Sequence, residues 1–206
     1  MAVTRVSSTE VDIPATSVSV YDAIFRRRMS KEFLDDPVSN ETLNRLFDAA
    51  IWAPNHRLTE PTRFFVLEKG SSARERVAEL AAEVAFQKVV NPNPDQKKRS
   101  ADASRSRVLD APAAVYVYSV PGDNDEVTRE NYATACCAVQ NMALAAVAEG
   151  LTLDWSTGGV TQHERLSETL GADPDWAMVG ALFIGKAKVV PNSRRTPSSE
   201  VVSWLS

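Results

Sequence analysis

Residues 126–149 form the stretch that most restricts what this chain can become. They contain Ala135, Cys136, Val139, Met142, Ala143, Ala146 and Val147 with no proline or glycine among them, and Gly150 follows directly. A run of that length reads as one helix of roughly six turns, closed by a glycine C-cap. It is rich in alanine nearly all round, so it belongs in the middle of the molecule, closely packed. Short apolar runs at 64–67, 113–120, 151–155 and 177–185 supply the strands of a small sheet for helices to cover.

The other elements follow from caps and periods. Ser17 or Ser19 can cap a first helix over 18–28 with Val20, Ile24 and Phe25 on its apolar side. Ser39 caps a second over 42–52, where Leu43, Leu46, Phe47, Ala50 and Ile51 repeat at helical spacing. A turn at 69–72 starts an alanine-rich helix over 73–90, which Asn91-Pro92-Asn93-Pro94 ends. Residues 95–110 are polar and mostly basic, with Lys97, Lys98, Arg99, Arg105 and Arg107 and little apolar face. That composition fits a solvated helix or a mobile lid, with an anion-binding patch as the alternative. A further helix is expected over 162–170. A tail over 186–206 ends in the apolar group Val201, Val202, Trp204 and Leu205. The order helix, helix, strand, helix, helix, strand, long helix, strand, helix, strand describes a single α+β domain over 1–206, with 1–17 as a loose tail.

Composition removes several functional classes. The net charge of −4 and pI of about 5.3 give no general attraction to nucleic acid. No run approaches the roughly 18 apolar residues that span a bilayer, and the first ten residues lack the apolar core of a signal peptide. Cys136 and Cys137 are adjacent on a helix and project about 100° apart, which places them badly for bridging each other. A reduced, cytoplasmic protein is expected, with packing preferred over catalysis for the two thiols. The only histidines, His56 and His163, make no metal-ligand spacing, so no metal site is expected. No glycine-rich phosphate loop is present either, so a nucleotide-like cofactor would need another means of attachment.

Two stretches concentrate binding chemistry. Arg26, Arg27, Arg28 and Lys31 put four cations within six residues at the end of the first helix. Complementing the helix dipole explains one or two of them; four so close repel one another unless an anion joins them. The second stretch joins Trp52 to the strand at 64–67 through Pro54, Asn55, His56, Arg57, Thr59, Glu60 and Pro61. Its arginines, Arg57 and Arg63, and its histidine suit an anionic or polar planar ligand, and a solvated loop is the plainer alternative. Pro61 is expected to hold Glu60 extended. Further on, Ser156-Thr157-Gly158-Gly159 is a turn whose backbone amides could approach a ligand closely.

Taken in order, these pieces resemble the nitroreductase family of FMN-dependent oxidoreductases over about 20–202. The first helix of that family ends Arg-Arg-Ser-x-Arg/Lys-x-Phe, and here Arg27-Arg28-Met29-Ser30-Lys31-Glu32-Phe33 takes its place. A second helix ending in Ala-Pro, then a polar loop and Gln/Glu-Pro-Trp-x-Phe, is matched by Trp52-Ala53-Pro54-Asn55-His56 and Glu60-Pro61-Thr62-Arg63-Phe64. Gln140-Asn141-Met142-x-Leu144 and the strand from Val179 to Gly185 also fit, and the loop version is similar to the branch with short, compact subunits. Met29 stands where the family has serine, and Thr62 where it has tryptophan.

The resemblance implies a nitroreductase-like fold, a small and mainly antiparallel sheet flanked by helices in a homodimer. It implies FMN, with NADH or NADPH as co-substrate and a nitroaromatic, quinone or related acceptor reduced by a ping-pong cycle. Arg27, Arg28 and the backbone of Met29 would take the phosphate and ribityl end. Lys31 would sit beside the pyrimidine edge, where a cation favours the reduced, anionic ring. Trp155, Ser156 and Thr157 would line the flavin, and Arg195 would help hold the phosphate. Trp52 and His56 would reach the flavin of the other subunit. No residue need serve as an obligatory catalytic acid. A dedicated dehydrogenation or dehalogenation substrate, and a flavin-binding protein without turnover, are the alternatives. The helix at 126–149 and the apolar tail are expected to form the dimer interface.

Overall fold

The computed structural model describes residues 15–90 and 93–205. The loose tail expected over 1–17 therefore falls largely outside the described residues, as do Asn91 and Pro92. Six α-helices and four strands run α1 Val20–Arg26, α2 Asn40–Ile51, β1 Thr62–Leu67, α3 Ser72–Lys88, α4 Pro94–Asp110, β2 Ala113–Ser119, α5 Asp125–Ala148, β3 Thr152–Ser156, α6 Leu166–Leu170 and β4 Ala177–Gly185.

Side-chain caps begin the first five helices. Ser19, Ser39, Ser71, Asn93 and Asn124 each accept a hydrogen bond from a backbone N–H in the first turn, that of Asp22, Thr42, Arg74, Asp95 and Val127 respectively. These caps satisfy donors that the helix itself leaves without partners. Gly150 takes φ +71° just past α5 and lets the chain turn back into β3.

The sheet has strand order β1-β2-β4-β3, and every neighbouring pair is antiparallel. The middle strands are buried almost throughout, as their unbroken apolar composition requires. Alternation along β2 sends Val115 and Val117 to one face and Ala114, Tyr116 and Tyr118 to the other. On the first face α2 and α5 close over the sheet, with Leu46, Ala135, Val139 and Met142 fully buried. On the second, α3, α4 and α6 pack through Val77, Val108 and Leu166 against Tyr116, Tyr118 and Phe183. Arg74 is sealed into this second face. It donates to the carbonyls of Val108 (2.8 Å), Leu67 (3.3 Å) and Ala111, tying α3 to the end of α4. Burial pulls its pKa below that of an ordinary guanidinium.

Three local expectations need correction. The helix expected over 162–170 is a single 3-10 turn at Gly159–Gln162 followed by the short α6, because His163 and Arg165 turn the chain between them. His163 Nδ1 accepts from the Arg165 N–H at 3.1 Å, a local bond that competes with a helical ladder. Glu60 is not extended before Pro61: it takes φ +46°, and Leu58 takes φ +52°. The apolar side of α1 faces outward, since Val20, Tyr21 and Phe25 are exposed and only Ala23 is buried. Of the two thiols, Cys136 is half-buried and Cys137 exposed.

Candidate functional site

The cationic loop is fixed in place by a distant piece of chain. Ser30 is buried, and its hydroxyl donates to the carbonyls of Glu32 (3.1 Å) and Val189 (3.0 Å). Leu34 N–H donates to Lys186 O at 2.8 Å, Lys188 N–H to Glu32 O at 2.9 Å, and Phe33 forms a bridge with Ala187. Residues 30–34 are thus paired with the chain that leaves β4, and Phe33 packs into the second core face beside Gly185. Arg27 and Arg28 are half-buried on this loop, while Met29 and Lys31 are exposed. Arg28 already donates through Nη1 to Phe25 O and Arg27 O, both at 2.8 Å, which turns it over the end of α1. The chain paired with the loop continues to Arg195, which is exposed and bonded locally to Ser193 and Arg194 O.

A pocket of about 400 Å³ opens between α3, α4 and the sheet. Val84 and Ala85 of α3 form an apolar wall, Ser100 and Ser104 of α4 a hydroxyl wall, and Ser156 with Gly158 the end of β3. Its floor includes Arg107, whose guanidinium lies 4.8 Å above the Phe183 ring and donates through Nη2 to the buried carboxylate of Asp154. Arg107 Nε is buried and has no hydrogen-bond partner, as is the hydroxyl of Tyr116. Burial pushes the Tyr116 hydroxyl far above the usual phenol range, despite the nearby charges of Arg107 and Arg74. The pocket shares Phe183 and Ala181 of β4 with the face on which Phe33 rests, so the cationic loop and the pocket lie against one strand.

Trp155 plays a packing part. Its indole N–H donates to Val179 O at 3.0 Å, and the ring covers Gly180, where any Cβ would collide with it. Ser156 lines the pocket and Thr157 is exposed at its rim. Trp52 (70% exposed) and His56 stand elsewhere, at the end of α2, and contribute nothing to the pocket lining of their own chain. Their loop is bound to α5. Arg57 pairs with Glu126 (3.2 Å) and Glu130 (2.8 Å), Thr59 donates to Asn131 at 2.6 Å, and Thr134 to Pro54 O at 3.0 Å. The half-buried Cys136 has its thiol pKa raised, chiefly by burial, which works against a nucleophilic role.

The structure therefore joins the loop of Arg27, Arg28, Met29 and Lys31 to the chain leading to Arg195, and places Ser156 in the pocket lining. It leaves Trp52 and His56 apart from both. Sequence reading missed Ser104 and Asp154, and gave Arg107 only as one cation of a basic stretch. Two signals were available: Ser100, Ser104 and Arg107 recur at helical spacing on one side of α4, and Asp154 interrupts a short apolar run.

Comparison with known proteins sets this geometry in context. The sequence pattern of the Nitroreductase family matches residues 24–186. The Escherichia coli (strain K12) protein named "Putative NAD(P)H nitroreductase YdjA" is 29% identical over 165 residues, covering 80% of this chain and 86% of its own. The crystal structure of a nitroreductase-like family protein from Bacillus cereus superposes with a TM-score of 0.78 at 27% identity, covering 94% of this chain and 99% of that one. A structure from Desulfovibrio desulfuricans in complex with FMN gives a TM-score of 0.68 at 25% identity, covering 91% and 96%.

Proposed function

The chain belongs to the nitroreductase family, and from that premise we propose that it is a homodimeric FMN-dependent oxidoreductase. It takes hydride from NADH or NADPH and reduces a quinone, nitroaromatic or related acceptor in alternating half-reactions in the cytoplasm. The observation that carries this reading is the pairing of residues 30–34 with 186–189, which ties the loop carrying Arg27, Arg28 and Lys31 to the chain that leaves β4, a strand whose Ala181 and Phe183 line the pocket.

The residues fit the cofactor. Arg27 and Arg28 offer guanidinium donors to a phosphate, with Arg195 on the adjoining chain. The pocket supplies one apolar wall, hydroxyls from Ser104 and Ser156, and a buried donor without a partner in Arg107 Nε, which suit a flat ring with a polar edge. When bound, FMN supplies the hydride-accepting and electron-donating chemistry. Lys31 favours the negative charge that arrives with a hydride, since two electrons enter with one proton. The second proton needed by a quinone comes from solvent, so no side chain has to be an obligatory acid.

Assembly into a dimer is supported by the apolar surface one subunit leaves uncovered. Tyr21 and Phe25 on α1, Trp52 at the end of α2, and Trp204 (92% exposed) and Leu205 (95%) on the tail all face outward. One side of α5 packs into the subunit's own core, and its other side, with Tyr132 and Cys137 exposed, is available to an interface together with α1 and the tail. Trp52 and His56 would then meet the partner's cofactor. Among the described residues no helix is long and apolar enough to cross a membrane.

The purified protein should be yellow, release FMN on denaturation, and lose its colour when NADH or NADPH is added without oxygen. Admitting a quinone should restore the colour with one equivalent consumed per flavin. A colourless protein that takes up no FMN would overturn the reading.

A further inference from the structure

Asp154 is the most deeply buried carboxylate among the described residues, at 1% exposure, and it lies in the strand that ends at the pocket. Its partner Arg107 comes from α4, 47 residues away in the chain, and is itself partly open to the pocket. Burying a carboxylate is costly even when it is paired, and an apolar side chain could join α4 to β3 equally well. The pair does something an apolar contact could not. It holds the guanidinium over Phe183, occupies Nη2, leaves Nε as a buried donor without a partner, and cancels the guanidinium charge, so that Lys88 on the wall is the remaining cation of the lining.

We propose that Asp154 is a positioning residue that acts through Arg107 to set the charge felt by the ligand in this pocket, and so tempers its reduction potential. The inference rests on the flavin reading above. Hydride transfer from NAD(P)H gives NAD(P)⁺ and leaves the bound flavin with two more electrons, one more proton and one extra negative charge. A lone Arg107 would hold that charge tightly and slow its onward transfer. The Asp154 carboxylate cancels the guanidinium, leaving Lys88 on the pocket wall as the cation of the lining that favours reduction. One group pulls electrons in, and the other keeps them transferable.

The test is anaerobic redox titration of the FMN-loaded wild type, Asp154→Asn, Arg107→Gln and the double variant, together with FMN dissociation constants in both redox states. Removing the carboxylate leaves a net positive floor, so Asp154→Asn should bind reduced over oxidised flavin about tenfold more strongly, a rise of about 30 mV for a two-electron couple. Arg107→Gln leaves Asp154 buried without its cation, so with all four proteins titrated at about pH 9, above the range to which burial raises a lone carboxyl, its floor is net negative and the potential should shift downward by a similar amount. The double variant, neutral again, should return close to wild type. A contact that merely ties α4 to β3 predicts no such opposition of sign. Equal potentials in all four proteins, or single variants that shift the same way, overturn the proposal while the flavin reading stands. A wild type that holds no FMN overturns both. If Asp154→Asn does not fold, Arg107→Gln against the double variant decides. A lower potential in the single variant supports the proposal, and equality overturns it.

Discussion

The two faces of the sheet are packed on different principles. Beneath α2 and α5 the contacts are made by alanine, valine, leucine and methionine, and charge is kept to the rim, where Arg45 meets Glu149 at 2.7 Å. Beneath α3 and α4, the sealed Arg74, the unpartnered hydroxyl of Tyr116 and the Asp154–Arg107 pair stand among the apolar side chains, and a pocket remains open. The same four strands serve both. One face is filled so that the fold persists, and the other leaves donors and space for a ligand, with the cationic loop anchored to it through Phe33.

The contrast can be broken most severely on the filled face. Leu46→Ala removes a side chain with no solvent exposure and should destabilise the protein by about 2–5 kcal/mol, read as a lower denaturation midpoint. FMN stoichiometry per folded chain should not change. On the open face, Arg27→Ala should show the converse, weakening FMN by about 1.5–3 kcal/mol in a fluorescence titration while the midpoint of the flavin-free protein stays put. The same variant sharpens the question of where Trp52 and His56 act. When combined with His56→Ala subunits under conditions where neither homodimer holds FMN, cross-subunit sites predict one tight flavin per two chains. Sites contained within each chain predict none.

Arg74→Met isolates structure from ligand binding within the open face. Three carbonyls lose their donor, and a cost of about 1–3 kcal/mol in urea denaturation is expected. The smallest effect belongs to the rim. The hydrogen bond from Arg45 holds the Glu149 carboxyl below its ordinary value of 4.5. A lowered carboxyl pKa contributes stability above that ordinary value, and the contribution is lost as pH falls through the folded one. Glu149→Gln should therefore lower stability slightly across the neutral range and flatten the acid limb below about pH 4.5, where the variant and the wild type converge. An unaltered acid limb would remove the pair from any part in stability.

The filled face was almost entirely legible in the sequence. Leu43, Leu46 and Ala50 recur at helical spacing, Val115 and Val117 alternate, and α5 differs from its expected bounds by one residue at each end. Local periodicity records which side of an element is dry, and there dryness is the whole requirement. The open face was read only in part, because its chemistry is made by partners far apart in the chain. Arg107 looked like one more solvated cation until β3 brought Asp154 beneath it. The helix expected over 162–170 failed for the opposite reason, since a local bond at His163 outweighed an apolar pattern. Glu60 departs from the preference of residues before proline because its loop is held from outside, by the bonds of Arg57 and Thr59 to Glu130 and Asn131 of α5.

The bond from Ser30 to Val189 spans 159 residues, nearly the whole domain, and closing so wide a loop is among the most entropically expensive contacts the chain makes. Every strand between its ends has to be in register before it can form, so the cationic loop is expected to be set late in folding and released early in unfolding. A ligand that bridges loop and pocket would lock the two ends of the polypeptide together and stabilise the fold in proportion to the logarithm of its concentration. For a cell, this makes the supply of cofactor a quality check: chains that complete their topology acquire the ligand and persist, while unfinished ones stay open to proteolysis.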